Sequence, residues 1–161
     1  MERFKDKVVV ITGGGSGMGK ISCEMFAQEG AAVCVVDINE KTARETADAI
    51  QAAGGRAKAY AMDITDEDAV KALFDDAVAT FGRIDVYFTI AGISPVGTAV
   101  TTTYSDYKKV VALDMDSVFL GSKYVIPHMI NNGGGVILNL VGTYGIRPIV
   151  NQHPNFPSGA L

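Results

Sequence analysis

Val8-Val9-Val10-Ile11-Thr12-Gly13-Gly14-Gly15-Ser16-Gly17-Met18-Gly19 decides the reading of this chain. A β-branched run without polar alternation breaks directly into glycines, and helical spacing opens inside the glycine stretch. Continuous apolar residues of this kind describe a strand buried on both faces. Glycine lets the backbone turn tightly and come within hydrogen-bonding reach of a pyrophosphate. The N-terminus of the helix that follows offers unpaired N–H groups and a partial positive charge. A glycine-rich string alone is weak evidence; a strand before it and a helix after it make it a phosphate-binding turn.

Outward from that turn the chain alternates. Further strand-like runs are Ala32-Val33-Cys34-Val35-Val36, Ala57-Lys58-Ala59-Tyr60-Ala61-Met62, Ile84-Asp85-Val86-Tyr87-Phe88 and Val136-Ile137-Leu138-Asn139-Leu140. Between them, residues 17–29, 40–53, 66–81 and 103–131 carry helical spacing. Gly54-Gly55 closes the second of these helices, and Thr65-Asp66-Glu67-Asp68 opens the third with an N-cap and early acids that suit the helix dipole. Strand-helix alternation implies a parallel sheet with right-handed crossovers and helices on both faces, the doubly wound α/β class.

Ligands bind such sheets at the carboxyl ends of the strands. Asp37 follows the second strand there, where a carboxylate accepts both adenosine ribose hydroxyls and repels a 2′-phosphate, favouring NAD over NADP. The blander alternative is a solvated strand-end aspartate. Asp63 closes the third strand in the same layer, with a helix-capping turn as its alternative role.

Composition narrows the partners. At 161 residues the chain has the size of one domain, and its 48% hydrophobic and 20% charged residues are enough for a core. A formal net charge of −4 leaves no global positive field for a polyanion, so nucleic acid is not expected. No apolar run reaches the ~18 residues of a membrane span, and the charged amino terminus leads into a strand with no signal-peptide core behind it. The cytoplasm is the expected compartment. Cys23 and Cys34 fit a reduced pair better than a disulfide or a metal site.

Thr12-Gly13-x-x-x-Gly17-x-Gly19, Asp37 after strand two, Asp63-Ile64 after strand three and Ala91-Gly92 after strand four resemble the short-chain dehydrogenase/reductase family along essentially the whole chain. The resemblance implies a Rossmann-like sheet of about five strands in the order 3-2-1-4-5, forming a single dinucleotide-binding domain over residues 1–161 that is incomplete relative to the family. It implies that Gly13, Ser16, Gly17, Met18 and Gly19 line the phosphates and that Asp37 and Ile38 line the adenosine ribose. Asp63 and Ile64 would line the adenine, and Ala91 and Gly92 the nicotinamide-side ribose. The family transfers hydride between a nicotinamide cofactor and an alcohol or ketone.

The chemistry-bearing positions depart from that pattern. Family members usually carry Asn-Asn-Ala-Gly after strand four, where this chain reads Thr89-Ile90-Ala91-Gly92. The fourth helix normally supplies an asparagine that holds a relay water, and Asp114 stands there, an acceptor only when ionised. The serine that would hydrogen-bond the substrate oxygen aligns with Gly142, and Thr143 reaches the site only if the backbone shifts. The family's tyrosine and lysine positions fall on Asn155 and Gly159, or on Phe156 and Ala160 after a one-residue slip. No Tyr-x-x-x-Lys pair is read in the chain. Tyr144, Tyr104, His128 and His153 are the remaining candidate acids, each with a simpler structural role.

Family members also continue through a further helix and two more strands. Strand five, Val136 to Leu140, is therefore expected as a bare sheet edge, with the substrate lid outside the chain and the usual dimer not intact. Pro154 and Pro157 disfavour a helix start before residue 158. Association of copies through that edge or through the long fourth helix is expected instead. The reading is an NAD-dependent oxidoreductase with impaired catalysis, the alternative being a non-catalytic NAD-binding domain or an inactive fragment.

Overall fold

A computed structural model describes residues 2–98 and 100–142. Five strands, β1 (Val8–Thr12), β2 (Ala32–Asp37), β3 (Arg56–Ala61), β4 (Val86–Thr89) and β5 (Val136–Asn139), form one parallel sheet in the order β3-β2-β1-β4-β5. The connecting helices are α1 (Gly17–Gln28), α2 (Glu40–Ala52), α3 (Glu67–Phe81), α4 (Tyr104–Val111) and α5 (Ser117–Asn131).

The unbroken apolar runs follow from two cores, one on each face of the sheet. Val8, Val10, Cys34 and Val36 meet Phe74 of α3 and Val125 and Met129 of α5, whereas Val9, Ile11, Val33 and Val35 meet Cys23 of α1 and Ala43, Ala47 and Ile50 of α2. Successive strand residues point to opposite faces, so a strand covered on both sides has no polar phase. The α3 face is reinforced by Phe74 and Tyr87 packed edge to face at 5.2 Å. Glu67 of α3 takes both Lys123 Nζ at 2.7 Å and the Tyr124 hydroxyl at 2.6 Å from α5.

Three helix starts are closed by side chains of their N-cap residues. Asn39 accepts the Thr42 N–H before α2, Asp66 the Ala69 N–H before α3, and Thr103 the Asp106 N–H before α4. Before α1 stands Ser16, whose side chain makes no capping bond, and the first turn of that helix holds no acid. Gly82, at φ 86°, closes α3 in the left-handed region, and Gly54 at φ 85° follows α2.

Most element ends shift by no more than one residue from the sequence expectation, and two differences are larger. The stretch over 103–131 is interrupted between α4 and α5 by a π-helical turn, Ala112–Asp116, and the Ser117 hydroxyl at the start of α5 donates back to the Leu113 carbonyl in that turn. Ile84 and Asp85 precede β4 rather than belonging to it. Asp85 is buried beneath the sheet, where its carboxylate accepts the Val8 N–H at 3.0 Å, Lys7 Nζ at 3.1 Å and two Arg83 nitrogens at 2.6 and 2.9 Å.

Strand β5 lies at the end of the sheet, with β4 as its one neighbour among the described residues. Val136, Leu138 and Leu140 alternate toward the face that α1 and α2 cover elsewhere, and there they are exposed. Among the described residues no helix is long and apolar enough to cross a membrane, and no cluster of metal-ligating side chains occurs.

Candidate functional site

Strand order reverses at β1, because the chain runs outward through β2 and β3 on one side of it and returns on the other side as β4. The carboxyl ends of β1 and β4 therefore form the crevice at which doubly wound sheets bind ligands. Gly13 and Ala91 meet across it: a Cβ added to Gly13, itself at φ 69°, would lie 3.1 Å from the Ala91 Cα and N.

The turn between β1 and α1 is held from three sides. The Gly14 N–H donates to the Val36 carbonyl at 3.0 Å, tying the turn to β2. The Gly15 N–H donates to Asp37 Oδ2 at 2.9 Å. Gly19, in the first turn of α1, lies so close to the Gly13 carbonyl that no Cβ fits between them. These contacts bury Gly14, Gly15 and Gly19 and leave Ser16, Gly17 and Met18 as the exposed rim. The rim coincides with the uncapped start of α1, so its free N–H groups point out of the protein with the positive end of the helix dipole.

Asp37 is built into this turn. Its second oxygen, Oδ1, accepts the Asn39 N–H at 2.9 Å, which leaves each carboxylate oxygen one further lone pair for an incoming hydroxyl. Ile38 beside it is exposed. Asp63 is exposed, and its Oδ1 takes both the N–H and the hydroxyl of Thr65 at 2.8 Å. Ile64 is buried in the α3-side core beside Val70 and Phe74.

Past β4, Ala91 is half-buried and Gly92 exposed. Both asparagines of the family pattern are absent, and threonines supply the ties instead. The Thr12 hydroxyl accepts the Ile90 N–H at 3.1 Å and the Ala91 N–H at 3.3 Å, and the Thr89 hydroxyl donates to Asn139 Oδ1 at 3.0 Å on β5. Sequence reading passed over Thr12 and Thr89 as acceptor and donor; the signal was a threonine at the last position of each of two paired strands.

Asp114 sits in the π-helical turn. Its Oδ1 accepts the Ile93 N–H at 3.1 Å, and burial pushes its carboxyl above the ordinary aspartate range. Gly142 is exposed with open space around it. Asn155, Gly159, Thr143, Tyr144, His153, Phe156 and Ala160 lie outside the described residues. His128 pairs with Asp75 of α3 at 3.3 Å, a contact between helices away from the carboxyl edge. One Tyr-x-x-x-Lys string does exist, which corrects the reading that the chain has none: Tyr104 and Lys108 on α4. There Lys108 Nζ lies 5.6 Å over an exposed Tyr104 ring that stacks on Tyr107, a helix-surface pair of successive turns.

The fold and this crevice define a doubly wound α/β domain with an anion-receptive turn at its switch point. A short chain dehydrogenase family profile matches residues 7–154, and the chain belongs to that family. It is 41% identical over 138 residues to an uncharacterized oxidoreductase, YxbG, of Bacillus subtilis, covering 85% of this chain and 50% of that protein. It is 36% identical over 137 residues to meso-2,3-butanediol dehydrogenase of Serratia marcescens, covering 84% and 53%. A solved 7α-hydroxysteroid dehydrogenase, complexed with NADH and 7-oxo glycochenodeoxycholic acid, superposes at TM-score 0.88 and 36% identity over 92% of this chain and 58% of that one. The chain spans about half the length of the curated relatives it matches.

Proposed function

We propose that the chain is the dinucleotide-binding part of a short-chain oxidoreductase and takes NAD in preference to NADP. The observation that carries this is the junction of the uncapped α1 start with Asp37: one end receives a phosphate, and the carboxylate beside it receives ribose hydroxyls. Ser16, Gly17 and Met18 at the exposed rim take the pyrophosphate, with Gly13 and Gly19 shaping the turn behind them; Asp37 and Ile38 take the adenosine ribose, Asp63 and the backbone of Ile64 the adenine, and Ala91 and Gly92 the nicotinamide-side ribose. A 2′-phosphate in place of a ribose hydroxyl would set two anions against each other at Asp37. When bound, the cofactor supplies hydride chemistry toward an alcohol or ketone.

A second reading, binding with impaired catalysis, has its own support. Gly142 offers no hydroxyl to a substrate oxygen, and Asp114 has an oxygen engaged by Ile93. Loss of a positioned acid costs on the order of 10²–10⁴ in rate. Self-association belongs to the same proposal, through the β5 edge or through the α5 surface, where Phe119 (65%), Ile126 and Ile130 (70%) are exposed.

Calorimetric titration tests the cofactor reading. NADH binds saturably and NADPH weakly, and Asp37→Ala weakens NADH while narrowing the gap between the two. Equal affinity for both in the unaltered chain, or an Asp37→Ala variant indistinguishable from it, would remove Asp37 from the ribose site.

A further inference from the structure

Among the described residues, Asp114 has no cation paired with its carboxylate, which accepts the Ile93 N–H. The loop after β4 packs against it so closely that a Cβ on Gly92 would lie 3.2 Å from its Oδ1, and its one neutral partner is the Ile93 N–H. Cations on the same helical stretch are turned to other groups: Lys109 pairs with Asp106 at 3.2 Å, and Lys108 lies over Tyr104. Among the described residues, burial pushes the carboxyl up and the Ile93 N–H opposes that shift. A half-buried anion in this condition gains from any positive charge that arrives beside it, because interactions there are less screened than in open water.

This inference rests on the proposed cofactor reading, in which Ala91 and Gly92 face the nicotinamide-side ribose. The nicotinamide ring is a cation in NAD⁺ and neutral in NADH, and the rest of the molecule is the same. We propose that the charge of Asp114 biases this site toward the oxidised cofactor, making it a specificity-determining residue rather than a spacer in the helix. The effect is on binding and needs no substrate. Asparagine at this position keeps the shape and the oxygen that receives the Ile93 N–H, and it removes the charge.

The test is calorimetric titration of NAD⁺ and NADH into the unaltered chain, Asp114→Asn and Asp114→Ala, with helicity checked by circular dichroism. Asp114→Asn lowers the affinity for NAD⁺ relative to NADH on the order of tenfold, with NADH affinity little changed. Asp114→Ala loses the same discrimination and also the anchor to Ile93, so both affinities fall further. If Asp114→Asn keeps the original NAD⁺ to NADH ratio while Asp114→Ala weakens both cofactors equally, the side chain is a loop anchor and the inference is overturned with the cofactor reading intact. If the folded, unaltered chain binds neither cofactor, the cofactor reading fails and this inference falls with it.

Discussion

Replacing Thr12 by valine separates shape from hydrogen bonding at the crevice. Thr12 is 1% exposed, and its hydroxyl is the acceptor for both the Ile90 and the Ala91 N–H. Valine fills the same volume and accepts nothing, so both N–H groups lose their partner. A buried polar group left unpaired costs about 1–3 kcal/mol. Both N–H groups belong to half-buried residues, so neither bond counts in full, and the Ala91 bond at 3.3 Å counts for less than the Ile90 bond at 3.1 Å. The expected loss is about 1–3 kcal/mol. With a urea dependence of about 1–3 kcal/mol per molar, the unfolding midpoint moves down by on the order of 1 M. Thr12→Ser, which keeps the hydroxyl, loses less. Hydrogen exchange at Ile90 and Ala91 accelerates in the valine variant more than at the β1 amides. A Thr12→Val midpoint equal to that of Thr12→Ser would refute the reasoning, because it would mean that water satisfies these amides and the hydroxyl does not hold the loop.

Two glycines of the same turn fail for different reasons. Gly19→Ala drives a methyl into the Gly13 carbonyl and destabilises the fold by about 1–3 kcal/mol, seen as an earlier urea transition. Gly17, at φ 49° with open space around it, accepts alanine at a cost of about 1–2 kcal/mol, yet Gly17→Ala loses NADH binding because the methyl occupies the rim; a variant that still titrates normally would make the turn merely structural. Acid stability reads Asp85. Burial opposes its charge, but the Val8 N–H, Arg83 and Lys7 outweigh it and hold the carboxyl below the ordinary aspartate range. A depressed carboxyl stabilises the fold at neutral pH, and that contribution drains away as pH falls below about 4 and through the folded value. Asp85→Asn is therefore less stable at pH 7 by on the order of 2 kcal/mol, and its stability falls less steeply in acid; parallel acid profiles for the two proteins would contradict this assignment.

Much of the fold was legible because its signals are local. Strand runs without polar alternation, glycine at the ends of α2 and α3, and an acid at the end of β2 each follow from backbone and solvation preferences that act over a few residues. The π-helical turn was not legible, since nothing in Ala112-Leu113-Asp114-Met115-Asp116 departs from helical composition; it meets the loop after β4 through the Asp114–Ile93 hydrogen bond, a contact between residues far apart in the chain. Asp85 was read as part of a strand because its role depends on Val8 and Lys7, far away in the chain.

The sequence by itself determined the class of fold, the place of the glycine turn between β1 and α1 and the carboxylate at the end of β2, because these rest on periodicity and on residues whose conformational freedom is intrinsic. Tertiary structure decided which groups meet. It put Asp37 under the Gly15 N–H, the Thr12 hydroxyl under the loop after β4, and the Asp114 carboxylate beside Gly92 and the Ile93 N–H. Those pairings join residues brought together by crossover connections, and a hydrogen bond or a buried charge is defined by its neighbours in space rather than by its neighbours in the chain.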